Sequence, residues 1–199
     1  MALITQDFYT RQDVVTVARE LLGKLLVTQF DGKLTSGIIT ETEAYEGITD
    51  RASHAYSGRR TERTEIMYRI GGTAYIYLCY GVHSLFNIVT NTEGIPHAIL
   101  IRGILPVDGI PFMLERTNTK RILSDFSNGP GKLSKALGIH YSHTGLDLTI
   151  KPGRKYDPGI WLEDNGLLLN LDKIKITSRI GVDYAGEDAF LPYRFVYKI

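Results

Sequence analysis

Valine, alanine and leucine recur every three or four residues along TRQDVVTVARELLGK, residues 10 to 24, with polar side chains between them. That spacing predicts an amphipathic helix. Thr10 is the candidate cap, Val14, Val17, Ala18, Leu21 and Leu22 form the stripe to be buried, and Gly23 ends it. The pattern then shifts to apolar and β-branched runs. KLLVTQFDGKLTSGIITETEAY, residues 24 to 45, predicts two strands joined at Asp31-Gly32, a strong hairpin signal. GGTAYIYLCYGVHSLFNIVTN, residues 71 to 91, predicts a second pair turning near Gly81, and HAILIRGILPV a continuous apolar strand broken by Arg102. From Gly109 to Leu137 the period is helical, with a break at SNGPGKL. The last third is rich in turns (KPGRKYDPG) and holds short strands such as KIKIT and YRFVYKI. These elements predict one mixed α+β domain spanning residues 1 to 199, in which strands and helices alternate too irregularly to fix a topology.

Composition narrows the setting. Lys and Arg total 23 against 22 acids, so the net charge of +1 does not by itself point to nucleic acid. The charge is nevertheless patterned. Residues 51 to 69 carry Arg51, Arg59, Arg60, Arg63 and Arg69 against only Glu62 and Glu65. Residues 116 to 135 carry Arg116, Lys120, Arg121, Lys132 and Lys135 against Asp125 alone. Each run read singly is a solvated surface; together they suit a polyanion held on one side. Cys79 is the only cysteine, which excludes an internal disulfide framework and a CxxC zinc knuckle. The N-terminus lacks a signal-peptide core and no apolar run would span a bilayer, so a reducing, cytoplasmic setting is expected, with no membrane partner.

The candidate chemistry begins at ETEAYEG, residues 41 to 47. Alternate residues of a strand share a face, so Glu41, Glu43 and Tyr45 would point together, and neighbouring carboxylates disfavour each other's ionisation. That face is either solvent or a site. Arg102, inside an apolar strand, requires a partner, and a carboxylate from 41 to 45 is the natural one. Tyr75 and Tyr77 share a strand face. Tyr75 reads as core, whereas Tyr80 precedes Gly81 at a turn, where an aromatic is badly placed for burial but well placed to stack on or wedge between bases. His54 sits in the polar loop RASHAYSG without ligand-spaced neighbours, and HYSH, residues 140 to 143, reads as a turn, so no metal site is expected. In NGPGKLSKALGI, Asn128 can cap a helix, Pro130 suits its first turn, and the glycines let N–H groups approach a phosphate. The same stretch could be the second half of a helix-hairpin-helix element following FMLERTNTKRILSDF.

ETEAYEG, the histidine nine residues beyond Tyr45, GTAYIYLCYG, Asn87, LIRGILP, GPGKLSKALGI and RIGVDYAGE occur in the order and approximate spacing of the alkyladenine (3-methyladenine, methylpurine) DNA glycosylases. The chain resembles that family over nearly its whole length. The resemblance implies a compact domain with a curved, largely antiparallel sheet and surrounding helices. It implies an enzyme that flips alkylated or deaminated purines, 3-methyladenine and hypoxanthine among them, out of double-stranded DNA. The N-glycosidic bond is then hydrolysed without metal, cofactor or Schiff-base lysine, by a monomer working at the bacterial nucleoid. Residue by residue, Glu43 matches the general base, Arg102 the arginine near the water and Ile180 the position whose carbonyl helps hold it. Tyr45 and Tyr77 match the aromatics that sandwich the base, with His54 on the facing wall. Asn87 matches the residue that discriminates against guanine's exocyclic amine, and Tyr80 the side chain that fills the gap in the duplex. Arg59, Arg60, Lys132 and Lys135 are the candidate contacts to the DNA backbone. The chain departs from vertebrate members at Val82 and His83, where they carry an aromatic, which bears on the grip on the flanking strand. Two other classes fit parts of the sequence. One is a helix-hairpin-helix glycosylase using an aspartate such as Asp147, against which the strand-rich stretch from 24 to 105 argues. The other is a non-catalytic binder of bent or damaged DNA in which Glu43 only partners Arg102.

Overall fold

The computed structural model describes residues 1–123 and 125–198. In chain order its strands and helices are β1 (Ala2–Leu3), α1 (Gln6–Tyr9), α2 (Val14–Glu20), β2 (Leu25–Phe30), β3 (Lys33–Tyr45), β4 (Ala74–Cys79), β5 (His83–Thr90), β6 (His97–Pro106), α3 (Ile110–Thr117), α4 (Pro130–Leu137), β7 (Gly159–Asp164), β8 (Ile174–Thr177) and β9 (Arg194–Tyr197). Among the described residues every strand pairing is antiparallel, in the order β1-β7-β2-β3-β6-β5-β4, and the sheet curls on itself. The fold is α+β, with an antiparallel curved sheet and surrounding helices, as the sequence led us to expect.

Strand β3 organises the sheet. One edge pairs with β2 over Lys33 to Ile38 and is then taken over by β9 at Glu41, Thr42 and Glu43. The opposite edge pairs with β6, with a shift of register on either side of Glu41. The far half of β3 is therefore flanked on both sides, and its alternate residues face inward rather than to water. Packed on the sheet, α2 buries Val14, Val17 and Ala18, and α4 buries Leu133, Ala136 and Leu137. These join Phe86, Ile88, Ile99 and Ile101 in the main core. Each fully buried Val, Leu, Ile or Phe side chain among them contributes about 1.5–3 kcal/mol.

Both predicted hairpins form, and the strand signals at KIKIT and YRFVYKI become β8 and β9, the final Ile199 lying outside the described residues. Three local expectations are corrected. Thr10 does not cap α2; it closes α1, and Asp13 caps α2 by accepting from the backbone N–H groups of Val15 and Thr16. The helical stretch from 109 to 137 does break into two helices, but the break begins well before SNGPGKL and α4 starts inside that motif, at Pro130. The first stops at Thr117 because Asn118 turns left-handed, and the residues from there to Gly129 are not helical, with Ser124 outside the described residues. Of FMLERTNTKRILSDF only the first six residues are helical among the described residues, and α3 and α4 are separated by residues 118 to 129 rather than by the short turn of a helix-hairpin-helix element. Asn128 caps nothing either. It bridges to Gly103, and Gly129 precedes Pro130 at the start of α4.

Candidate active site

Strand β3 runs through Glu41, Glu43 and Tyr45, so all three do share a face, and that face is a buried one. Glu43 is wholly buried and Glu41 nearly so. The Tyr45 hydroxyl donates to Glu43 Oε2 at 2.9 Å, and the Ile180 N–H donates to Glu43 Oε1 at 2.8 Å. From β6, Arg102 donates through Nε to Glu41 Oε1 at 2.9 Å and through Nη1 to Glu43 Oε2 at 3.3 Å. The partner required by Arg102 is thus a pair of carboxylates. Burial pushes the Glu43 carboxyl above its ordinary range, while Arg102, the Ile180 N–H and the Tyr45 hydroxyl pull it back. Burial opposes the Arg102 charge, but Glu43 and Glu41 outweigh it and hold the guanidinium above its usual range. The Tyr45 phenol is pushed well up, by burial and then by Glu43, so it keeps its proton and remains a donor.

Tyr45, Arg102 and Ile180 border a cavity of about 250 Å³ whose other walls include His54, Tyr77 and Asn87. The His54 and Tyr77 rings meet edge-on, 4.7 Å between centroids. His54 Nδ1 lies 2.8 Å from the Tyr75 hydroxyl, and Arg63 Nη2 lies 2.7 Å from His54 Nε2. A guanidinium can only donate, so the imidazole must offer it a lone pair and stay neutral. Burial, then Arg63 and Arg59, push the His54 ring down to about 4. Arg63 also lies 4.7 Å over the Tyr77 ring. At the cavity floor, Asn87 is buried with its amide nitrogen committed to the carbonyls of Tyr75 and Leu85, both at 3.2 Å, which fixes its orientation. Tyr75 is core as expected, and its hydroxyl also steadies His54.

Tyr80 stands at the rim, on the tip of the β4–β5 hairpin, 93% exposed. Its φ is +51° and that of Gly81 is +69°, a tight turn closed by the Val82 N–H on the Cys79 carbonyl. Glycine tolerates this backbone; an aromatic residue there is strained, a state that recurs at functional sites. Gly131, at the start of α4, packs against His83 of the same hairpin.

The basic residues do not line this cavity. Arg59 borders an adjoining depression with Arg51 and Arg63, on the outer side of His54. Arg60 is exposed, paired with Glu65 and lying over Tyr68. Lys132 and Lys135 border a separate depression with Lys120 and Arg121, and Lys132 is paired with Asp125 at 2.7 Å. His140 and His143 form a short 3-10 turn in which His143 stacks on Phe30. Among the described residues no group of three or more His, Cys, Asp or Glu could hold a metal ion.

Sequence reasoning missed Arg179, Tyr184 and Arg194. Arg179 is buried, binds both carboxylate oxygens of Asp50 and the Ala44 carbonyl, and lies 4.8 Å over the Tyr45 ring, behind the cavity wall. Tyr184 borders the cavity and donates to the Ala52 carbonyl at 3.2 Å. Arg194 joins Glu41 from β9 at 2.7 Å. Arg179 and Tyr184 both lie in RIGVDYAGE, the stretch that supplied Ile180, whereas Arg194 lies in YRFVYKI, which reads only as a strand.

A family model described as Methylpurine-DNA glycosylase matches residues 7–199. Relatives named "Putative 3-methyladenine DNA glycosylase" are similar to the chain over almost all of their length. That of Chlamydia felis is 44% identical, covering 99% of this chain and 97% of the relative. That of Clostridium perfringens is 43% identical, covering 97% and 94%, and that of Bacillus cereus 42% identical, covering 94% and 91%.

Proposed function

The chain belongs to the methylpurine-DNA glycosylase family and is a hydrolytic DNA glycosylase of the 3-methyladenine type, and from that premise we propose how its cavity performs the reaction. The damaged purine nucleotide rotates out of the duplex into the space between Tyr45 and the His54–Tyr77 wall. At about 250 Å³ that space is smaller than the ~300–1,000 Å³ typical of drug-sized ligands and suits one bicyclic base. Electron-rich ring faces favour an alkylated purine that carries positive charge. Asn87, held in place by its two backbone contacts, crowds the base edge at the position where guanine carries its amino group and excludes it by size. Tyr80 takes the vacated place in the stack. Extrusion costs least where the base is damaged or mispaired, which adds selectivity for alkylated purines and for hypoxanthine.

Glu43 removes a proton from water as its oxygen attacks the anomeric carbon, and the purine departs with the electrons of the N-glycosidic bond. Arg102 and the Ile180 backbone hold the water and the carboxylate in register. Arg59, Arg60, Lys132 and Lys135 grip the phosphates of double-stranded DNA. The protein acts as a monomer with residues 1 to 199 as one domain. Glu43 carries this reading: it is a wholly buried carboxylate, pushed above its ordinary range by burial and held from two sides beside an aromatic cavity. Few structural roles require that combination, and a general base does.

The test is release of free 3-methyladenine from methylated duplex DNA, followed by chromatography. We expect Glu43→Gln to lose excision by ~10²–10⁴-fold, the usual contribution of a general base, with damaged-duplex affinity kept within a few-fold. Glu41→Gln should lose much less. Equal losses in the two variants would remove Glu43 from the role, and an enzyme–DNA adduct trapped by borohydride would replace water with a lysine nucleophile.

A further inference from the structure

Arg102 is not the only arginine near Glu43. Arg194 of β9 lies directly opposite Glu43 in the β3–β9 ladder, yet its side chain binds elsewhere. Its Nε donates to Glu41 Oε1 at 2.7 Å and its Nη1 to Thr177 Oγ1 at 3.2 Å. The same Glu41 oxygen also accepts from Arg102 Nε at 2.9 Å, which leaves Arg102 a single longer contact of 3.3 Å with Glu43. Arg194, Glu41, Arg102 and Glu43 thus form one chain of alternating charge across three strands. Their side chains are 22%, 7%, 11% and 0% exposed.

We infer that Glu41 and Arg194 are positioning residues for the reaction: they set how much of the Arg102 charge reaches Glu43, and hence how readily that carboxylate takes a proton. The inference rests on Glu43 being the base proposed above. An uncompensated guanidinium at hydrogen-bond distance stabilises a carboxylate strongly and makes it a poor proton acceptor. A base serves best when its proton affinity is matched to the working pH. Glu41 occupies the Nε edge of Arg102 and offsets part of its charge; Arg194 in turn offsets part of Glu41. The remaining groups around Glu43 stay the same in either substitution. Tyr45 and the Ile180 N–H are donors, Arg179 is committed to Asp50, and Tyr77 borders the cavity beyond Tyr45.

Alternation of sign makes the two outer residues act in opposite directions. Glu41→Gln leaves Arg102 uncompensated, so Glu43 should hold its negative charge to lower pH. Arg194→Gln frees the negative charge of Glu41, so Glu43 should take its proton at higher pH. A merely structural pair would weaken the fold in both variants and separate nothing. The experiment follows the Glu43 carboxyl carbon by NMR across pH in protein carrying ¹³C-labelled glutamate, with Glu43→Gln identifying the signal. Single-turnover release of base from methylated duplex is measured over the same range. The titration midpoints should move to opposite sides of the wild type. The ratio of rates at acid and neutral pH should rise by roughly threefold or more in Glu41→Gln and fall in Arg194→Gln. Midpoints that stay together, or move the same way, overturn the inference. Midpoints that separate while the rate profiles do not would leave the coupling standing and remove Glu43 as the base. Should Glu41→Gln not fold, Arg194→Gln, altered at the more exposed end, decides alone, and an unmoved midpoint there is the overturning result.

Discussion

His54 shows how a single side chain links the site to the stability of the whole. Its ring sits at about 4 in the folded protein against an ordinary value of 6.5, because it is buried and faces Arg63 and Arg59. Between those values the unfolded chain binds a proton that the folded chain refuses. The folded state therefore keeps its full advantage above pH 6.5 and loses it progressively as pH falls toward 4. We predict that His54→Gln, which cannot titrate, flattens the fall of Tm between pH 7 and pH 5, whatever it does to Tm at pH 7. Parallel curves for wild type and variant would show that His54 protonates freely in the fold. Much at this scale could be read from the chain. Glu43 and Tyr45 were marked by two-residue spacing, and Arg102 by its cost inside an apolar strand. Arg179 and Arg194 were not, for a physical reason. Arg194 meets Glu41 across 153 residues through a docking of β9 on β3, and Arg179 meets Asp50 across 129, contacts that no local pattern specifies.

Elements were legible where a period was long and a turn signal sharp, and illegible where two residues competed for one task. The stripe that begins at Val14 announces a helix but not its cap, since Thr10 and Asp13 are both good cap residues. The separate short helix α1, ended by Thr10, leaves the task to Asp13. Asp13→Ala should therefore cost about 0.5–2 kcal/mol in denaturant unfolding, and Thr10→Ala distinctly less; the reverse order would mean that α2 begins earlier. The span between α3 and α4 failed differently: its composition continues the helical pattern, but Asn118 leaves that conformation and none of the described residues re-enters it before Pro130. At the β4–β5 hairpin, the sequence signal and the backbone agree on Tyr80. An aromatic ring almost fully in water, on a backbone that disfavours it, gains nothing from the fold. Tyr80→Ala should keep Tm and lose binding and excision on matched duplex, with a smaller loss where the lesion is mispaired and there is less stacking to replace. Tyr80→Phe should remain near wild type. Normal extrusion by Tyr80→Ala, read by a fluorescent base beside the lesion, would end the wedge role.

For the whole molecule, the total charge misleads and the arrangement decides. A net charge of +1 gives no long-range pull on a polyanion, yet seven of the 23 basic residues gather in two depressions, Arg51, Arg59 and Arg63 in one and Lys120, Arg121, Lys132 and Lys135 in the other. One adjoins the outer side of His54; the other lies by α4, whose first turn packs on the hairpin that carries Tyr80. If both depressions hold phosphates of one duplex, as the proposed function requires, binding depends on several cations at once. Each phosphate so neutralised releases counterions, so affinity should fall steeply from low to moderate salt, by ~0.9 in the log–log slope per contact. The two lysines of α4 should not count equally. Lys132 already holds Asp125 in an exposed, weak ion pair and must give it up to bind a phosphate. Lys135 has no such ion pair among the described residues. Lys135→Gln should therefore lower affinity more than Lys132→Gln. Either variant should weaken damaged and undamaged duplex alike and reduce the salt slope by about one, since a phosphate contact carries no lesion information. Binding measured by fluorescence anisotropy across a salt series separates the outcomes. A slope near zero in the wild type would show that few phosphates are neutralised at all, and a loss confined to damaged DNA would remove these lysines from the phosphate contacts.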